Sequence, residues 1–248
     1  MSWSAVISSD DVVAIHAALV PTVNGDGEIL LFGGDDHDRA ANIAGEWDHA
    51  RRFECRHPTQ ALAYVQSPNA DLFCCGHAQL GDGRILTGGG TITFPPESEG
   101  IHAHLHFEGH RHAFTYSPAT TTFAEVAGLG FEPGRPNQGG GRWYPSLCTL
   151  ATGEVLAVAG HPSGDDTRHN NNRPERYQPL VDRWVMLAPT GPDTVGGPDL
   201  FPRLHVLRDG AVFVSSALQG NARCIAIDPW TGDKHEVCDL PDGAYRGF

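Results

Sequence analysis

Cys74 and Tyr144 stand at the same place in two successive copies of one motif, each nine residues ahead of a turn glycine, Gly83 and Gly153. The first copy runs Phe73-Cys74-Cys75-Gly76-His77, through the turn Gly81-Asp82-Gly83, into Ile85-Leu86-Thr87-Gly88-Gly89. The second runs Trp143-Tyr144-Pro145-Ser146, through Ala151-Thr152-Gly153, into Val155-Leu156-Ala157-Val158-Ala159-Gly160. A thiol and a phenol at matched points of adjacent repeats can face each other, which would join two oxidisable groups. Side chains alternate along a strand, so residues 74, 76 and 78 share one face and residues 142, 144 and 146 share another. On that reading Cys75 points away from Cys74, and Trp143 turns to the face opposite Tyr144 and packs between sheets.

Other side chains compete for a role. His102, His104 and His106 alternate, and His110 and His112 follow. Three imidazoles on one strand face, about 7 Å apart, could share a transition ion. With no carboxylate or cysteine placed to complete the shell, a polar loop or solvent-facing strand is the favoured reading. His77, His161 and His205 sit singly near strand ends and read as structural histidines. Arg142 and Arg203 share faces with Tyr144 and Phe201, where either a central cavity or a surface pairing would suit them. The Asn- and Asp-rich stretch 165–172 reads as a loop.

The elements that position these groups are short strands joined by glycine turns. The turn glycines Gly27, Gly83, Gly153 and Gly210 recur at intervals of 56, 70 and 57 residues, and each leads into an apolar strand. Asp-Gly between β-rich runs signals a hairpin, because the turn needs a positive φ that glycine tolerates. A second hairpin follows in each unit, as in 112–123, 175–184 and 224–233; that of the first unit, around 53–65, is degenerate. Two hairpins per period make one four-stranded blade of a β-propeller. The expected fold class is therefore all-β, with approximate units at 12–70, 71–138, 139–197 and 198–248. Cys224 and Cys238 flank the last turn and could lie nearly opposite each other; two unpaired, half-buried thiols are the favoured reading, since sequence does not fix register.

Composition narrows the rest. The chain has 248 residues, 30 glycines, 18 prolines and 2 methionines, which suits many turns rather than long helices. A net charge of −13 argues against nucleic acid as a partner. No apolar run reaches the roughly 18 residues of a transmembrane segment, and no signal peptide is visible at the start. Six cysteines in this length do not make a disulfide scaffold.

The glycine pairs and the second hairpins resemble the kelch repeat. The segments Asp71-Leu72-Phe73-Cys74-Cys75-Gly76-His77 and Gly141-Arg142-Trp143-Tyr144-Pro145 resemble the galactose oxidase and glyoxal oxidase family of copper radical oxidases. The resemblance implies a kelch-type β-propeller in which the strand before each Asp-Gly turn lies innermost. It implies a thioether between Cys74 and Tyr144, with Tyr144 as copper ligand and radical site. It also implies oxidation of primary alcohols, aldehydes or carbohydrates by O2, yielding H2O2, and a secreted or periplasmic setting. The family's axial tyrosine, followed by a histidine, and its last histidine have no counterpart here. The next equivalent position is Phe201, which cannot bind a metal, and the chain contains no Tyr-His pair. The expectation is an incomplete six- or seven-bladed ring of about four blades, rather than a closed four-bladed one. It would be inactive alone and would need C-terminal blades for closure. A non-catalytic propeller that binds protein or carbohydrate is the alternative.

Overall fold

The computed structural model describes residues 14–22, 25, 27–34, 50–55, 62–93, 108–130, 140–162, 170–171, 173–189, 200–215 and 223–239. His102, His104, His106, most of 165–172 and the closing 245–248 lie outside the described residues.

Every regular element among the described residues is a strand. The first sheet holds β1 (His16–Val20), β2 (Glu28–Phe32), β3 (Ala50–Glu54) and β4 (Ala63–Val65). The second is built from β5 (Gly76–Gln79), β6 (Ile85–Gly88), β9 (Ala113–Ser117) and β10 (Thr122–Val126). A two-stranded insertion, β7 (Thr91–Thr93) with β8 (Glu108–Gly109), interrupts it. The third contains β11 (Ser146–Thr149), β12 (Val155–Val158), β13 (Glu175–Gln178) and β14 (Arg183–Met186). The fourth contains β15 (Arg203–Val206), β16 (Val212–Ser215), β17 (Arg223–Ile227) and β18 (Lys234–Asp239). All pairings are antiparallel and join sequence neighbours, save β6 with β9, which flank the insertion.

The first hairpin of the last three sheets closes in one way. Leu80, Leu150 and Leu207 each donate a backbone N–H to the residue four ahead, at 2.8 Å in every case. Gly83, Gly153 and Gly210 follow with φ of 88°, 84° and 92°. This left-handed step at the end of a tight turn strains any L side chain, which is why the turn carries glycine.

The second and third sheets bury both faces against neighbours, and the first and fourth each pack one face inward. Val20, Leu30 and Phe32 of the first meet Ile85, Phe114 and Tyr116 of the second. Leu86 and Ala113 from the other side of the second sheet pack on Val155, Ala157, Tyr177 and Trp184 of the third. Leu156 and Val158 then face Val212, Val214 and Ile227. Alternation along the strands produces this two-sided apolar pattern. Polar ties fix the spacing: the Trp184 indole N–H donates to the Ala127 carbonyl at 2.8 Å, and the Ala127 N–H donates to Asp182 at 2.9 Å.

The first strands of the last three sheets lie side by side at one edge. β5 contacts β11, and β11 contacts β15. That shared edge carries the candidate site.

Candidate functional site

The strands β5 and β11 begin two residues after Cys74 and Tyr144, so neither residue is in a strand. Cys74 has φ of 60°, Tyr144 of 58°, and Phe201, at the third equivalent position, of 51°. Left-handed backbone at a bulky non-glycine residue is uncommon, costs about 1–3 kcal/mol each, and concentrates at functional positions. Here three such residues are linked. The Tyr144 N–H donates to the Cys74 carbonyl at 2.9 Å, and the Phe201 N–H donates to the Tyr144 carbonyl at 2.9 Å. A backbone rail thus runs across the sheet edges and holds the three side chains in sequence.

Cys74 and Tyr144 are each pinned by their flanks. Before Cys74, the Asp71 carboxylate accepts the Phe73 N–H at 2.7 Å, and the Cys75 N–H closes a turn onto the Leu72 carbonyl at 3.1 Å. Thr91 pairs with Asp71, its hydroxyl donates to the Phe73 carbonyl at 2.8 Å, and His110 Nε2 meets the Asp71 carbonyl at 2.7 Å. Before Tyr144, Trp143 and His161 exchange two backbone hydrogen bonds at 2.8 and 2.7 Å. The Arg142 N–H donates to the His110 carbonyl at 3.1 Å, and the Gly90 N–H donates to the Arg142 carbonyl at 3.0 Å. The insertion β7–β8 therefore braces both halves of the site.

Cys74 is fully buried and Tyr144 half-buried. Burial, and then the Cys74 side chain beside it, push the Tyr144 phenol well above its ordinary range. Phe201 lies beyond it, 42% exposed, with ring centroids 5.8 Å apart. Cys75 is also fully buried, and burial raises its thiol.

Two expectations need correction. Strand alternation does not turn Trp143 away from Tyr144: the ring centroids are 4.2 Å apart at 41°. The alternation rule fails because the left-handed step at Tyr144 breaks the period. Arg142 does not line a cavity. It is fully buried and ion-paired at 2.7 Å with Glu175, which is equally buried. Its Nε also reaches Glu175, Nη1 donates to the Ala159 carbonyl, and Nη2 donates to the Arg173 carbonyl at 2.6 Å. Such saturation is what a buried charge pair requires. Arg203, by contrast, is exposed.

The histidines divide by environment. His110 is buried, and desolvation lowers it to about 4. His112 is exposed and meets Glu125 at 2.8 Å. His77 packs edge-on to His16 and Phe32 in the core between the first two sheets. Among the described residues no group of three or more His, Cys, Asp or Glu is placed to hold a metal ion. Sequence reasoning gave no role to Asp71 or Glu175 and took His110 only as part of a histidine run; an Asp two residues before Phe73 is a turn-capping signal that could have pointed to Asp71.

No protein-family model and no curated protein sequence matches the chain. Among solved structures, a fungal alcohol oxidase with catalytic diversity in the AA5 family, in complex with copper, matches 95% of this chain with a TM-score of 0.62 and 19% identity. The match spans 43% of that chain, so the present chain covers less than half the length of this neighbour. At that identity the likeness is one of fold.

Proposed function

We propose that the chain is part of a galactose oxidase-like copper radical oxidase, its four sheets forming an arc of a kelch-type β-propeller. In this reading Cys74 and Tyr144 are the precursors of a Cys-Tyr thioether cofactor. The observation that carries it is Cys74 and Tyr144 set side by side as two left-handed residues whose backbones are joined at 2.9 Å, with the thiol near enough to raise the phenol. The substrate class is a primary alcohol, aldehyde or carbohydrate, with O2 reduced to H2O2. The AA5 fold neighbour supports the direction of this reading.

The chemistry of the pair balances. Joining the Cys74 sulfur to the Tyr144 ring removes the thiol hydrogen and one ring hydrogen, and O2 accepts both electrons and both protons to become H2O2. A sulfur on the ring spreads an unpaired electron and eases its formation. Copper, when bound, supplies the second one-electron carrier needed for a two-electron oxidation. The described residues offer one donor for it, the Tyr144 oxygen, and do not complete a shell. What they do is structural: they hold the phenol, keep water from the thiol, and place Trp143 against the ring.

Intact mass of the full-length protein, incubated aerobically with Cu(II), tests the proposal. The expected result is loss of two hydrogens that survives reductant and is absent in Tyr144→Phe and Cys74→Ser. An unchanged mass, with Cys74 still open to slow thiol labelling, overturns the oxidase reading and favours a propeller that binds protein or carbohydrate.

A further inference from the structure

The β17–β18 hairpin carries a pair of thiols remote in sequence from Cys74 and Tyr144. β17 and β18 pair so that Cys224 lies directly opposite Cys238. The register shifts at this point: Ile225 faces Glu236, leaving Val237 as the extra residue of a bulge. A bulge re-aims the side chains beside it, and here it brings the two cysteines into opposition. Directly opposed residues on antiparallel strands have Cα atoms about 4.5–5.5 Å apart, inside the span of about 4.4–6.8 Å that a disulfide bridges. The Cys238 side chain is near enough to raise the Cys224 thiol. Cys224 is covered and Cys238 is exposed; both are free thiols.

We propose that Cys224 and Cys238 form an oxidisable dithiol, a site of reversible disulfide formation that latches the exposed strand β18 onto β17. The co-reactant is a low-molecular-weight disulfide such as oxidised glutathione. Cys238, in solvent, attacks first as thiolate and displaces one glutathione thiolate, leaving a mixed disulfide. Cys224 then attacks the Cys238 sulfur and displaces the second. Two protein thiols become one S–S bond, and two glutathiones take up the two electrons and two protons. Burial, then the Cys238 side chain, raise the Cys224 thiol, which leaves the first attack to Cys238. The latch has a mechanical purpose, because every residue of β18 is exposed and an unpaired strand edge is open to strand addition.

The site does not depend on the oxidase reading. The full chain would be equilibrated over a range of reduced-to-oxidised glutathione ratios, quenched by alkylation, and mapped by peptide mass spectrometry. The expected product is a Cys224–Cys238 crosslinked peptide, two hydrogens lighter, with Cys148 alkylated throughout. Oxidised chain should melt at a higher temperature than reduced chain, and Cys238→Ser should abolish the difference. Cys224→Ser should leave Cys238 trapped as a stable glutathione adduct, whereas the wild type resolves it. Separate alkylation of both residues at the most oxidising ratio, or a wild-type glutathione adduct on Cys238 that never resolves, overturns the proposal.

Discussion

The backbone N–H of Tyr144 rests on the carbonyl of Cys74 at 2.9 Å while both residues hold left-handed φ angles, 58° and 60°. Two strained residues from adjacent sheets are thus locked by one main-chain bond before their side chains meet. The bond fixes their relative position more tightly than packing alone could, and the Tyr144 ring is held between Trp143 and Phe201.

The raised phenol gives a first prediction. In protein without the crosslink, Tyr144 stays protonated through the range in which an ordinary phenol ionises, near pH 10. Ultraviolet titration of the tyrosinate band should show the same ionising amplitude below pH 11 in wild type and in Tyr144→Phe. A phenol lost from that amplitude by the substitution contradicts the burial argument.

Arg142 and Glu175 make a second. Arg142→Met leaves a carboxylate buried without its cation and should cost about 3–5 kcal/mol. Urea unfolding would report it as a lowered midpoint. A cost below about 1 kcal/mol would mean that Glu175 finds another partner or takes up a proton with little penalty.

Gly89 offers a third. It has φ of 75°, and an added Cβ would collide with the Arg142 carbonyl and side chain. Gly89→Ala therefore drives the second and third sheets apart where they brace the site, with an expected loss of at least about 2 kcal/mol. Gly153→Ala is the control: φ is similar at 84° but no atom lies near the new Cβ, so it should lose less. Equal losses would show that backbone strain, not the close approach, governs both.

Acid sensitivity follows from the buried imidazoles. Burial lowers His16 to about 3 and His110 to about 4, against about 6.5 in the unfolded chain. The unfolded state binds more protons below pH 6.5, so stability is full above that value and falls as pH drops toward the folded values. Between pH 6.5 and 5 each histidine should remove up to about 2 kcal/mol. His16→Phe keeps the ring packing against Phe32 and should flatten the curve; an unchanged slope of stability against pH would assign the acid loss to other groups.

The turns were the most legible part of the fold. Gly83, Gly153 and Gly210 mark hairpins because only a residue free of Cβ strain closes that step cheaply, and a local rule can be read locally. The apolar strands expected after Gly83 and Gly153 are found as Ile85–Gly88 and Val155–Val158. The matched positions of Cys74, Tyr144 and Phe201 could be read by counting from those turns. What could not be read was the left-handed φ at each, since nothing in Cys, Tyr or Phe announces it. The same blind spot inverted the placement of Trp143. The Arg142–Glu175 pair spans 33 residues and two elements, and no periodicity reports a partner at that distance. The opposition of Cys224 and Cys238 depended on a bulge, which shifts register by a single residue.

The rail through residues 74, 144 and 201 offers three sockets of equal main-chain geometry with unlike contents. Chemistry at this edge can therefore be rewritten by exchanging one side chain while the scaffold beneath stays unchanged. Phe201→Tyr would install a second hydroxyl ring beside the first without asking the surrounding strands to move.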